Sequence, residues 1–108
     1  MTSAEREARR AAGRVAYAKN KDRMRDARLR SVFGISLDEY AAMLSDQGGT
    51  CAICHKTCAS TRGLAVDHDH QTGRVRGLLC MNCNNGLGHF KDDPDLFAAA
   101  AEYLRSKP

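Results

Sequence analysis

The sequence predicts a small α+β domain: a β-hairpin stapled by four cysteines, flanked by helices and preceded by a basic helical arm. Three observations predict it. Two Cys-x-x-Cys pairs, Cys51/Cys54 and Cys80/Cys83, enclose 25 residues. Inside that interval two β-type runs, Leu64–His70 and Arg74–Leu79, flank the turn Gln71-Thr72-Gly73. Helix start signals stand on both sides of it. At 108 residues with no Trp, the chain is sized for one compact domain with a thin core, and an internal staple would help it fold.

Residues 4–30 are rich in Ala, Arg and Lys, with Gly13 as the one helix breaker, and read as a helix. Its apolar stripe is thin: Val15, Ala16, Ala18, Met24, Ala27 and Leu29 do not make one clean face. Ten of its side chains are basic: Arg6, Arg9, Arg10, Arg14, Lys19, Lys21, Arg23, Arg25, Arg28 and Arg30. Against four acids they give residues 1–30 a net charge of +6, while the remaining residues, with seven bases and nine acids, carry −2. A bland reading is a solvated helix or tail. The density of Arg favours contact with a polyanion, above all nucleic acid. The expected division is an arm over 1–34 and a stapled domain over 35–108.

Gly34 ends the arm. Ser36-Leu37-Asp38-Glu39 is a capping box, and Leu37, Tyr40, Ala41 and Leu44 then fall at helical spacing, so a short amphipathic helix is expected up to Gln47-Gly48-Gly49. Beyond the hairpin a helix begins around Cys83. Asp93 and Pro94 fit the cap and first position of a last helix, whose Leu96, Phe97, Ala100, Tyr103 and Leu104 form one apolar face. No apolar run approaches the roughly 20 residues that span a bilayer, and Met1 to Arg10 lacks an apolar signal core, so no membrane partner is expected and the expected compartment is the cytoplasm.

In a reducing compartment, paired cysteines read as metal ligands rather than disulfides. Two Cys-x-x-Cys knuckles complete a tetrahedral shell of four thiolates, the donor set of a structural zinc with no open position for catalysis. Cys58 is left over and reads as a free thiol. His55, next to Cys54, is a weak competitor as a ligand.

Between the pairs lies Val66-Asp67-His68-Asp69-His70, and Asn84 directly follows the last paired cysteine. On an ideal strand Asp67 and Asp69 share one face and His68 and His70 the other, so a strand end or bulge is needed to bring Asp67 and His68 into one site. Asp67 offers a carboxylate oxygen and Asn84 an amide oxygen, hard donors suited to Mg²⁺ or a similar divalent ion that keeps several waters. An imidazole exchanges protons readily near neutral pH, which suits His68 to activate a water. Together these groups point to phosphodiester hydrolysis; a polar loop, or a second zinc site using His68 or His70, are the alternatives. Arg74 and Arg76 share a strand face and are placed to grip phosphate, if they are not simply solvated.

The runs CAIC, LAVDHDH and GRVRGLLCMNCNNGLGHF resemble the recombination endonuclease VII family of phage HNH-type nucleases. The resemblance covers about residues 36–105 and is most specific from Cys51 to Phe90. It implies a ββα-metal (HNH, His-Me finger) core beside a structural zinc held by Cys51, Cys54, Cys80 and Cys83. It implies Asp67 and Asn84 as ligands of a catalytic Mg²⁺ or other divalent cation, His68 as general base, and His70 as a further active-site group contacting phosphate. It also implies DNA, including branched DNA, as substrate, and the cytoplasm of a host cell as location. Larger members carry further C-terminal helices that intertwine two subunits. This sequence stops at Pro108 after one such helix, so a homodimer is left open and nicking is the expected reaction. The competing reading is a non-catalytic zinc-knuckle protein that binds nucleic acid.

Overall fold

The computed structural model describes residues 1–57 and 63–107. Cys58 lies outside the described residues. The chain divides into two compact units, Met1–Met43 and Leu44–Pro108.

The first unit is dominated by α1, Ser3–Phe33, a helix of 31 residues, roughly 46 Å long at 1.5 Å per residue. Thr2 caps it, its hydroxyl accepting the Glu5 N–H at 3.1 Å. Gly34, with φ of 73°, closes it by donating its N–H to Arg30 O. A non-glycine side chain would be strained in that left-handed conformation. Leu29 is the buried residue of this helix, in keeping with its lack of a continuous apolar stripe. Glu7 pairs with Arg10 at 3.3 Å and with Arg14 at 3.2 Å, while Asp26 pairs with Arg30 at 2.9 Å. Asp26 also accepts the Leu37 N–H at 2.7 Å, and that backbone hydrogen bond, then the one from Arg30, holds its carboxyl below the usual range. The capping box forms as the sequence predicts: Ser36 N–H donates to Glu39 Oε1 at 3.2 Å, and Glu39 N–H donates to Ser36 Oγ at 3.0 Å. It starts α2, Leu37–Asp46. Ile35 and Tyr40 are buried, and the Arg25 guanidinium lies 4.7 Å from the centre of the Tyr40 ring.

The second unit begins in the last turn of α2. Gly48 and Gly49 both have positive φ, and the Gly49 N–H donates back to Leu44 O at 2.8 Å. A bridge between Thr50 and Thr57 then folds the first cysteine pair into a knuckle. The antiparallel hairpin follows as β1, Ala65–His68, and β2, Val75–Leu79. Both strands are shorter than the sequence suggests, and at their turn ends this is because the turn takes in residues 69, 70 and 74. The Asp69 carboxylate accepts the N–H groups of Gln71 at 2.8 Å and Thr72 at 3.1 Å, and the Asp69 N–H donates to Arg74 O at 2.8 Å. Helix α3, Met81–His89, packs on both strands, and α4, Pro94–Ser106, follows with Asp93 as cap and Pro94 in its first turn.

The core of this unit is Cys51, Leu64, Val66, Leu78 and Leu79. Few aliphatic side chains are buried, and the apolar stripe of α4 leaves Tyr103 at 64% and Leu104 at 68% exposure. The hairpin therefore needs support beyond the hydrophobic effect, and Gln47 supplies part of it. Its side-chain amide behaves as a strand would. Oε1 accepts the Leu78 N–H at 2.9 Å, and Nε2 donates to Leu78 O at 2.9 Å and Thr50 O at 2.8 Å. Leu78 is fully buried, so its N–H would be stranded without this partner. Gln47→Ala is expected to lower stability by about 2–3 kcal/mol, read from urea denaturation of the metal-loaded protein. A change within error would show that Gln47 is dispensable to β2.

Candidate active site

Two centres meet on α3. The first is the cysteine cluster. The sulfurs of Cys51, Cys54, Cys80 and Cys83 all lie within 4.8 Å of one another, with Cys54 Sγ and Cys80 Sγ 3.8 Å apart. A tetrahedron with Zn–S arms of about 2.3 Å has edges of about 3.8 Å, so these four thiols are spaced to receive a tetrahedral metal ion. Backbone N–H groups support the sulfurs: Ile53 donates to Cys51 Sγ and Cys83 to Cys80 Sγ, both at 3.4 Å. Burial pushes the Cys51 thiol up, but the N–H donors from Cys54, Cys80 and Ile53 outweigh it and bring it down to about 6. Burial, then sharing with the other three sulfurs, pushes Cys83 up to about 12. Four crowded sulfurs cannot all ionise unless a cation joins them.

The second centre is a cleft of about 530 Å³ between the hairpin and α3, lined by Asp67, His68, His70, Asn84, His89 and Asp92, with Val66 and Leu87 among its apolar walls. The structure thus brings Asp67, His68, His70 and Asn84 together. Strict strand alternation would part Asp67 from His68, and a β-bulge removes the conflict. Asp67 pairs with Gly77 but His68 pairs with Val75, so Arg76 is the extra residue of β2 and the register shifts between Asp67 and His68. The His68 and His70 rings meet edge to face with centroids 4.7 Å apart. Asn84 arrives from the other wall because Cys80 caps α3: its sulfur accepts the Cys83 N–H, and its carbonyl accepts the Asn84 N–H at 2.9 Å. The sulfur cluster that anchors both ends of the hairpin therefore also places the first turn of the helix that carries Asn84.

The bulge separates the two hairpin arginines. Arg74 lies before β2, exposed, with its N–H on Thr72 Oγ1 at 3.2 Å. Arg76 instead grips Asp67 with a two-pronged pair, Nε to Oδ2 and Nη2 to Oδ1, each 2.8 Å, and Nη2 reaches Asp92 Oδ2 at 3.2 Å. The hydrogen bond to Asp67 raises the guanidinium's hold on its proton, with burial working against it. Asp92 and Lys91 both adopt φ of 56°, a conformation costly for side chains of this kind.

Residues 26–106 match the sequence profile of the family described as recombination endonuclease VII. The chain belongs to the recombination endonuclease VII family. Similar proteins include the Gene 59 proteins of Mycobacterium phage D29, 43% identical over 84 residues, and of Mycobacterium phage L5, 44% identical over the same length. Each alignment covers 77% of this chain and 51% of the relative, so the chain spans about half the length of the curated relatives it matches. Among solved structures it is similar to the beta-beta-alpha-Me type II restriction endonuclease Hpy99I, with TM-score 0.50 and 35% identity, covering 73% of this chain and 47% of that one. The hairpin and α3 of this endonuclease VII family chain are accordingly a ββα-Me core, with four cysteines positioned for a metal ion beside it.

Three features of this family member escaped the sequence reading. His89 lines the cleft, yet it stands five residues after Asn84, roughly 140° around the helix, so helical spacing gave no cue. Asp92, directly before the Asp93-Pro94 helix start, carried no signal of its own. Arg76 read as a phosphate ligand beside Arg74, and its engagement with two carboxylates had no local signature. The basic residues of the arm belong to the Met1–Met43 unit, and α1 presents them to solvent.

Proposed function

We propose that this chain is a metal-dependent DNA endonuclease that hydrolyses phosphodiester bonds, nicking duplex or branched DNA. The observation that carries the reading is the convergence of Asp67, His68 and Asn84 on one cleft at the junction of hairpin and helix.

The donor set fits a hard divalent ion. Asp67 and Asn84 offer one carboxylate and one amide oxygen, which leaves further positions for water and for a phosphate oxygen, the coordination Mg²⁺ prefers. The four thiols, by contrast, suit zinc and close its shell. When bound in the cleft, the divalent ion supplies charge neutralisation on the scissile phosphate and on the departing oxygen. His68 takes a proton from the water that attacks phosphorus. His70 faces the same space and contacts a phosphate oxygen, and Arg74 holds the flanking backbone. The exposed basic side chains of α1 supply affinity without sequence preference, through Arg6, Arg9, Arg10, Arg14, Lys19, Lys21, Arg23, Arg25, Arg28 and Arg30.

The test is supercoiled plasmid incubated with zinc-loaded protein in Mg²⁺, in Mn²⁺ and in EDTA. Open circles with either ion and none with EDTA are expected. DNA that is retarded but uncut in every divalent ion would identify a binding module instead. The arm makes a separate prediction. If α1 neutralises six or more phosphates, affinity falls about a thousandfold between roughly 50 and 200 mM salt. Replacing Arg9, Lys19, Lys21 and Arg23 by Gln flattens that slope, and an unchanged slope would exclude the arm from the contact.

A further inference from the structure

We propose that Arg76 is a resident counter-cation of the metal cleft, competing with the divalent ion for Asp67 and so setting how tightly that ion is held. The inference rests on the nuclease reading above. It concerns a residue that reading does not use.

Four features of the structure carry it. The guanidinium donates one hydrogen bond to each Asp67 oxygen, both at 2.8 Å, the strong side-by-side geometry of Arg with a carboxylate. The Asp67 side chain is only 11% exposed and the fork engages both of its oxygens, so an ion that binds Asp67 must share them with Arg76. Arg76 also pairs with the Asp92 carboxylate at 3.2 Å, delivered by a loop whose residues 91 and 92 both sit in left-handed backbone. Strain retained at a cleft, in the segment that presents a carboxylate to that arginine, points to a use for the contact. The bulge supplies the remaining element. The irregularity that sets His68 beside Asp67 makes Arg76 the unpaired residue opposite them.

Charge decides the sign. Asp67 and Asp92 both line the cleft, and Arg76 neutralises them together. A cation entering beside Asp67 meets the guanidinium's positive charge and must share or displace its fork. Without that charge, two carboxylates face the cleft uncompensated and attract a divalent ion more strongly. A brace that merely tied β2 to the loop after α3 would act the other way, since its loss would loosen Asp67 and weaken ion binding.

The experiment is a calorimetric titration of Mn²⁺ into zinc-loaded protein without DNA. Arg76→Gln is expected to bind Mn²⁺ about tenfold more tightly than wild type. Arg76→Lys, which keeps the charge, stays near wild type. Asp92→Asn removes one negative charge and leaves Arg76 to Asp67 alone, so it binds more weakly. Circular dichroism and zinc content confirm that each variant is folded. Unchanged or weaker binding by folded Arg76→Gln overturns the proposal; should that variant not fold, tighter binding by Asp92→Asn does so. Wild-type Mn²⁺ uptake with no gain in Arg76→Gln sinks this inference alone. No uptake by either protein, with no cutting of plasmid, sinks the nuclease reading along with it.

Discussion

His68→Ala is expected to slow plasmid cutting by about 10²–10⁴-fold, the usual contribution of a positioned general base. Asp67→Asn is expected to lose at least as much, because it removes the charged oxygen that would hold the divalent ion. His68 sits at the end of β1, half-buried, with its ring edge to face against His70, so truncation also removes that contact and the fold must be checked beside the rate. Asp67→Asn preserves side-chain shape but weakens the pair with Arg76, so its thermal midpoint is expected to fall while the zinc stays bound. Rates on supercoiled DNA in Mg²⁺, beside zinc content and circular dichroism, separate loss of chemistry from loss of fold. Wild-type cutting by either variant would show that the roles are misassigned.

Cys51→Ser carries the other large effect. Cys51 is fully buried and, with Leu64, Val66, Leu78 and Leu79, makes up the core of the Leu44–Pro108 unit. Structural zinc contributes an apparent ~10–16 kcal/mol in small zinc domains, as much as the whole stability of an ordinary domain, about 5–15 kcal/mol. With so few buried aliphatic side chains, the hairpin has little else to hold its ends. The variant is expected to lose metal and the cooperative unfolding transition of this unit, with collapse of amide dispersion in its NMR spectrum. Helix α1 makes its hydrogen bonds locally and is expected to keep part of its helical signal. A zinc-free Cys51→Ser protein with native dispersion would show that the metal is not what holds the hairpin.

The elements that could be read from the sequence are those whose causes are local. The capping box, the Asp93-Pro94 start and the glycines after Asp46 each act within a few residues, and the structure bears them out. The cysteine pairs were equally legible because tetrahedral thiolate ligation imposes its own spacing. The site itself was only half legible. Residue types and the family resemblance singled out Asp67, His68, His70 and Asn84, which the structure gathers in one cleft, but alternation along a strand argued against Asp67 and His68 meeting, and only the two-strand register reveals the bulge that reconciles them. Gln47 lies 31 residues from Leu78 and Asp92 lies 16 from Arg76, so their pairings depend on the finished fold. Arg76 shows the cost of this. Its position beside Arg74 suggested a shared face, whereas the bulge turns it toward the carboxylates. The α4 stripe is a similar case, since periodicity reveals a face but not what, if anything, covers it.

The most direct test is anomalous diffraction from crystals of the zinc-loaded protein soaked in Mn²⁺. Signal at the zinc edge is expected among the four cysteine sulfurs, and a separate manganese signal within bonding distance of Asp67 and Asn84, facing His68. Manganese bound elsewhere, or Asp67 and Asn84 turned away from a common ion, would contradict the account.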